Sequence, residues 1–350
     1  MEFGLMSLGD HLPDPATGRL TTTQAERFRQ IVDYTVLGDQ LGFDAVHLGE
    51  HHFSGYIVSV PQMVLASVAE HTKKVKLSTG VTLLPHHDPL RIAEDFATLD
   101  VLSGGRAEVV IGRGVFPHTY RHMGQDIEQS RAMTDEGLDL LRLLWTGENI
   151  SWSGKFRAPL DGVTQQPRPV QKPHPAIYLS GSSPDAVDMA AKKGLPIAIS
   201  VVSTGFGNMK DLIARYREQY RASGNDLANM KVAVSFHCHV DRDGKKARDY
   251  FGPHQFGYLN WVLREIGVVG RQFPPSHMTL GNPDCIAIAG SPVEVTDDLC
   301  RWIEAAGGVD RLIIQSDQGG MPFDQVRASV ELFAAEVMPV LAKQAKSATT

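Results

Sequence analysis

Residues 2–12 read EFGLMSLGDHL. Positions 2–8 have the continuous apolar character of a buried strand, and they run into Gly9-Asp10-His11-Leu12. In an open, doubly wound sheet the first strand should lead into a G-x-G-x-x-G turn that carries a pyrophosphate. That turn is missing here. The alternative for a chain of alternating strands and helices is a parallel sheet closed into a barrel.

The rest of the chain supports closure. After 2–8 come a helix at 23–41 closed by Gly42, a strand at 44–49, a helix at 60–72 and a strand at 75–84. A helix at 89–102, a strand at 106–112 and a helix at 128–146 with a clear 3.6 period follow. The stretch 147–175 breaks the rhythm with three Gly and five Pro, predicting an irregular insertion or a short hairpin. Strand 176–181, helix 183–193, strand 195–201, helix 208–223 and strand 231–240 resume it. A poorly patterned region, 244–290, precedes a helix at 292–306, a strand at 311–316 and a helix at 324–343. Eight strand–helix units predict an α/β fold: one (β/α)8 TIM-barrel domain over 1–350, with insertions at about 147–175 and 244–290.

Composition narrows the class. The 350 residues are 42% hydrophobic and 21% charged, enough apolar content for a buried core. A net charge of −6 with no basic block argues against nucleic acid and against an anionic membrane surface. No apolar run approaches the roughly 18 residues that span a bilayer, and the N-terminus lacks a signal-peptide pattern. Cys238, Cys285 and Cys300 are too few and scattered for a disulfide framework or a zinc cage. A cytoplasmic protein is the expectation.

Barrel chemistry sits on the loops after the strands. Here these carry Glu50-His51-His52-Phe53, Pro85-His86-His87-Asp88, Gly112-Arg113-Gly114, Gly181-Ser182-Ser183-Pro184, His237-Cys238-His239 and Ser316-Asp317. Three chemistries could use them. His237 and His239, two apart on a strand, with Asp317, suggest a metal-dependent hydrolase, although such barrels carry His-x-His on the first strand. Nucleophilic catalysis lacks a G-x-S-x-G elbow. An anion site fits best: Arg113 between two glycines, with Ser182 and Ser183 at a helix N-terminus whose free N–H groups attract phosphate.

Six ordered motifs then converge. Leu41-Gly-Phe-Asp-Ala-Val-His-Leu-Gly-Glu-His-His-Phe53, Gly80-Val-Thr-Leu-Leu-Pro85, Leu102-Ser-Gly-Gly-Arg106, Ile111-Gly-Arg-Gly114, Gly290-Ser-Pro-Val-Glu294 and Ser329-Val-Glu-Leu-Phe-Ala-Ala-Glu-Val-Met-Pro339 resemble the bacterial luciferase-like flavin monooxygenases. The resemblance implies a two-component oxidoreductase that uses reduced FMN and O2, through a C4a-peroxyflavin, to oxygenate a small organic substrate. A separate NAD(P)H:flavin reductase would be its partner, and a homodimer is implied. His51 matches the histidine that forms and protects the peroxide, with Glu50 orienting it or serving structure. Gly80-Val81 matches a pair joined by a cis peptide beneath the flavin. Arg113 matches the phosphate ligand, with Gly112, Gly181, Ser182 and Ser183 around it.

Three positions depart from luciferase itself. Gly112 stands for a reactive cysteine, Ser182 for an acidic residue and Val201 for a tryptophan, so neither light emission nor an aldehyde substrate is expected. Region 147–175 and region 244–290 would form a lid, with Trp261, Phe273 and Met278 as pocket or lid-packing residues. Two rivals remain: an F420-dependent hydride-transfer enzyme of the same fold, for which Arg121 is the one extra basic residue near Arg113, and the metal hydrolase. A catalytically silent partner subunit is disfavoured by His51.

Overall fold

The computed structural model describes residues 1–267 and 286–347. Eight parallel strands close on themselves: β1 (Glu2–Ser7), β2 (Ala45–Leu48), β3 (Lys76–Thr79), β4 (Ala107–Gly112), β5 (Ala176–Ser180), β6 (Ile197–Ser200), β7 (Val232–Val240) and β8 (Arg311–Gln315). Closure is set by register: Met6 of β1 lies opposite His47 of β2 on one side and Gln315 of β8 on the other. β7 bridges β6 and β8 through its first half, and its end, His237–Val240, takes a further parallel strand, Ala287–Gly290, outside the ring. The protein is thus the expected (β/α)8 barrel.

The helices form where the 3.6-residue period turns an apolar stripe inward. In the helix Ser130–Thr146, Leu138, Leu141 and Trp145 are buried, and the Trp145 indole donates to the Ala93 carbonyl at 3.0 Å. Two of the family motifs prove to be helix punctuation. Ser291 and Glu294 form a capping box on the helix Pro292–Ala305, which Pro292 starts. Arg106 donates to the Ala69, Thr72 and Val75 carbonyls, closing the end of the helix Pro61–His71.

Three expectations need correction. The strand expected at 75–84 stops at Thr79; the chain passes through a cis Gly80–Val81 peptide and resumes as Thr82–Leu83, which pairs with β4. The segment 147–175 is a hairpin (Ile150–Trp152 with Leu160–Val163) on the outer helices, not a lid. The Glu136 carboxylate accepts from the Lys155 and Phe156 amides, and Arg168 donates to the Leu144, Trp145 and Gly147 carbonyls at 2.6–3.0 Å. Its residues clamp the end of the helix Ser130–Thr146, and none faces the barrel mouth. The region expected to be irregular from 244 opens as a regular helix, Gly244–Glu265, capped by the Asp243 carboxylate. Phe273, Met278 and Cys285 lie outside the described residues.

Candidate active site

A cavity of about 470 Å³ opens at the C-terminal mouth of the barrel, within the size range of small-molecule sites. Its lining brings together His51, Glu50, Gly80, Val81, Gly112, Arg113, Ser182 and Ser183. Gly181 stays behind the wall: it is buried, and a Cβ there would meet Val187 Cγ1 at 3.0 Å.

The β4 and β5 ends form one corner. Ile111 and Leu179 are in register, so Arg113 and the Ser180–Ser183 turn leave neighbouring strands side by side. Ser183 occupies the N-cap position of the helix Pro184–Lys192, yet its hydroxyl makes no capping hydrogen bond. Among the described residues the Arg113 guanidinium has one hydrogen-bond partner, Ser130 Oγ at 3.3 Å. The corner therefore offers a cation, two hydroxyls and a dipole-bearing helix start, with little of this capacity used internally. Arg131, which sequence reasoning missed, lines the same cavity and pairs with Asp185. Its place in the first turn of the helix after the β4 loop was the available signal. Arg121 is exposed and does not reach the cavity.

The floor beside this corner explains the glycine at 112. A Cβ there would sit 2.5 Å from Val81 Cγ2, so the cis pair and Gly112 interlock. A larger residue at 112 needs a smaller one at 81.

His51 sits between aromatic rings. Tyr56 stacks on it at 3.8 Å between centroids, and Phe116 meets it edge-on at 5.5 Å. Both walls went unnoticed in the sequence: Tyr56 folds back on His51 within one loop, and Phe116 comes from the loop after β4. Desolvation pushes the His51 pKa down to about 3, so the imidazole is neutral, and its Nδ1 has no partner among the described residues.

Glu50 turns away from that ring. Its Oε1 accepts from His52 Nε2 at 2.9 Å and His87 Nε2 at 2.7 Å, and its Oε2 accepts from the Leu83 amide at 3.1 Å. Burial opposes the charge, but these donors hold its pKa down at about 2. Glu50 is thus a hub tying the β2 and β3 loops rather than a direct partner of His51. Glu50, His52 and His87 also form a group whose ligand atoms lie within 4.8 Å of one another, close enough to share a metal ion; in the structure their contacts are hydrogen bonds.

The hydrolase constellation does not assemble among the described residues. His237 lines the cavity and donates from Nδ1 to Gln255 Oε1 at 2.7 Å, whereas His239 stacks on Phe251. Asp317 Oδ2 accepts from Ser7 Oγ at 2.5 Å and Arg27 Nη2 at 2.7 Å. Trp261 packs behind Tyr56 at 4.7 Å, while Tyr258 and Val262 of the same helix face the cavity.

A flavin mononucleotide fits these residues: an under-used phosphate corner, an interlocked floor and an orphaned ring nitrogen border one cavity. Comparison with known proteins points to flavin-dependent monooxygenases. Residues 1–308 match the family model of luciferase-like monooxygenases. The alkanal monooxygenase alpha chain of Photorhabdus laumondii is 27% identical, over 93% of this chain and 95% of its own. The oxygenase component of flavin-dependent trigonelline monooxygenase from Acinetobacter baylyi is 24% identical over 92% of each chain. Among solved structures, a Streptomyces bottropensis monooxygenase superposes with a TM-score of 0.85 at 27% identity, covering 97% of this chain and 100% of that one. No helix among the described residues is long and apolar enough to cross a membrane.

Proposed function

The chain belongs to the luciferase-like monooxygenase family, and on that premise we propose that it is the oxygenase of a two-component system that takes reduced FMN from a separate NAD(P)H:flavin reductase. The observation that carries this is the β4–β5 corner, where Arg113, Ser182 and an uncapped Ser183 converge on a helix start. Arg113 would hold the phosphate by a charge-assisted bond, with the Ser183 hydroxyl and the helix N–H groups completing the cradle. Bound reduced FMN would supply two electrons to O2, so that one oxygen atom enters the organic substrate and the other leaves as water. His51, neutral and with a free Nδ1, would accept and return a proton at that nitrogen without leaving a lasting charge in the site. Tyr56 and Phe116 would keep water from it. Arg121 is exposed and lies off the cavity, and Arg131 is paired with Asp185. Among the described residues Arg113 is therefore the cavity arginine without a carboxylate partner, which suits the single phosphate of FMN better than the longer anionic tail of F420.

Flavin titration tests the reading. Arg113→Ala should weaken FMN about ten- to hundredfold, as loss of a charge-assisted hydrogen bond predicts, and should weaken riboflavin far less. Equal losses for both flavins would remove the phosphate assignment, and tighter binding of F420 than FMN by the unaltered protein would favour hydride transfer.

A further inference from the structure

Opposite the β4–β5 corner, around the ring, lie β8 and β1. His47, Met6, Gln315 and His237 stand on β2, β1, β8 and β7, and each is in register with the next. All four line the cavity and together make one arc of its wall. No residue of the arc carries a fixed charge; the cavity's Arg113, Arg131 and Asp185 belong to the β4–β5 side, and Glu50 is bound by its two histidines.

The arc holds hydrogen-bonding groups that the protein leaves unsatisfied. His47 is fully buried, and among the described residues neither of its ring nitrogens has a hydrogen-bond partner. Gln315 is 2% exposed and lies beside His237 and Tyr258, and among the described residues its Nε2 makes no hydrogen bond. His237 spends Nδ1 on Gln255 and its ring also meets the Gln315 side chain. Buried polar groups are normally paired, so three unpartnered nitrogens on β2 and β8, the two strands that flank β1, point to an occupant of the cavity that pairs them. The surroundings, Ile313, Phe236 and Val262, are apolar.

We infer that this arc receives the organic substrate, and that it selects an uncharged molecule whose carbonyl or phenolic oxygen accepts from Gln315 Nε2 beside His47. The assignment rests on the flavin reading above, which places the cofactor phosphate against the other wall. A carboxylate bound here would lose its water and find no cation in the arc, while Arg311, whose charge reaches His47, is already paired with Glu108 and Glu2. The neutrality of the two imidazoles agrees with this, since burial pushes both pKa values down to about 4.

The test uses acetophenone, ethylbenzene and benzoate as probes, titrated calorimetrically into the protein with and without oxidised FMN. Acetophenone should bind, ethylbenzene about three- to tenfold more weakly for want of one neutral hydrogen bond, and benzoate at least tenfold more weakly. Gln315→Leu should lower acetophenone to the ethylbenzene level and leave ethylbenzene unchanged; Gln315→Met serves if the leucine variant does not fold. Equal binding of benzoate and acetophenone, failure of all three probes, or an equal loss of both neutral probes in the variant would overturn the inference. Loss of FMN binding with the discrimination intact would instead remove the cofactor reading and leave the wall standing.

Discussion

The two ends of the barrel differ in how completely they pair their buried polar groups. At the N-terminal end Arg311, 1% exposed, donates to both Glu108 oxygens at 2.5 and 3.0 Å and to Glu2 Oε2 at 2.6 and 2.8 Å, while Lys76 takes the other Glu2 oxygen at 2.7 Å. The plug is fully paired, and Tyr178 lies over the guanidinium. At the C-terminal end His47, His51 and Gln315 keep polar atoms with no partner among the described residues. Satisfied charges at one end hold the ring closed; unsatisfied neutral groups at the other are left for ligands.

Breaking the plug should have the largest effect. Glu108→Ala leaves the Arg311 charge buried with one carboxylate fewer, and removal of one partner of a buried pair costs about 3–5 kcal/mol. Urea denaturation at neutral pH measures it; a loss below about 1 kcal/mol would mean that the plug is dispensable.

Acid comes next, and it acts on the opposite end. Unfolded histidine takes a proton near pH 6.5, whereas His47 and His237 resist protonation down to about 4 and His51 down to about 3. The unfolded chain therefore binds more protons below pH 6.5, and stability falls as pH drops from there. One such group accounts for about 2 kcal/mol at pH 5. Replacing it, as in His51→Gln, should flatten the stability–pH curve by that amount, and an unchanged slope would show the ring to be solvated. Glu50, held near 2, adds a further loss only below about pH 4.5, by the same linkage.

Gly112→Ala should cost about 1–3 kcal/mol through the overlap with Val81, and Val81→Ala in the same chain should restore most of it. Without that rescue, the interlock is not the reason for glycine. The smallest effect belongs to Ser183→Ala. A lost helix cap typically costs about 1 kcal/mol, but this hydroxyl caps nothing, so the melting temperature should hardly move while FMN affinity falls a few-fold. The reverse pattern would return Ser183 to an ordinary cap.

Much of this was legible beforehand. The eight strands, the outer helices and the grouping of Arg113 with Ser182 and Ser183 follow from apolar periodicity and from the side of the barrel on which strand-following loops must lie. The helix Gly244–Glu265 escaped notice because Pro253, several glycines and aromatic residues blur its period, although Asp243 before it was a usable cap signal. The direction in which Glu50 points could not be read at all. Its neighbours in sequence suggest His51, but its actual partners include His87 and the Leu83 amide from the next loop.

The amino-acid order alone determined what is local: the alternation of strands and helices, and which loops share the open end of the ring. Closure decided the rest. Arg311 meets Glu108 across 203 positions, Ser7 meets Asp317 across 310, and Met6 joins His47 to Gln315, because a closed sheet makes lateral neighbours of strands that are distant in the chain. Pairing, burial and the nitrogens left without partners are properties of those lateral contacts, and no periodicity along the chain encodes them.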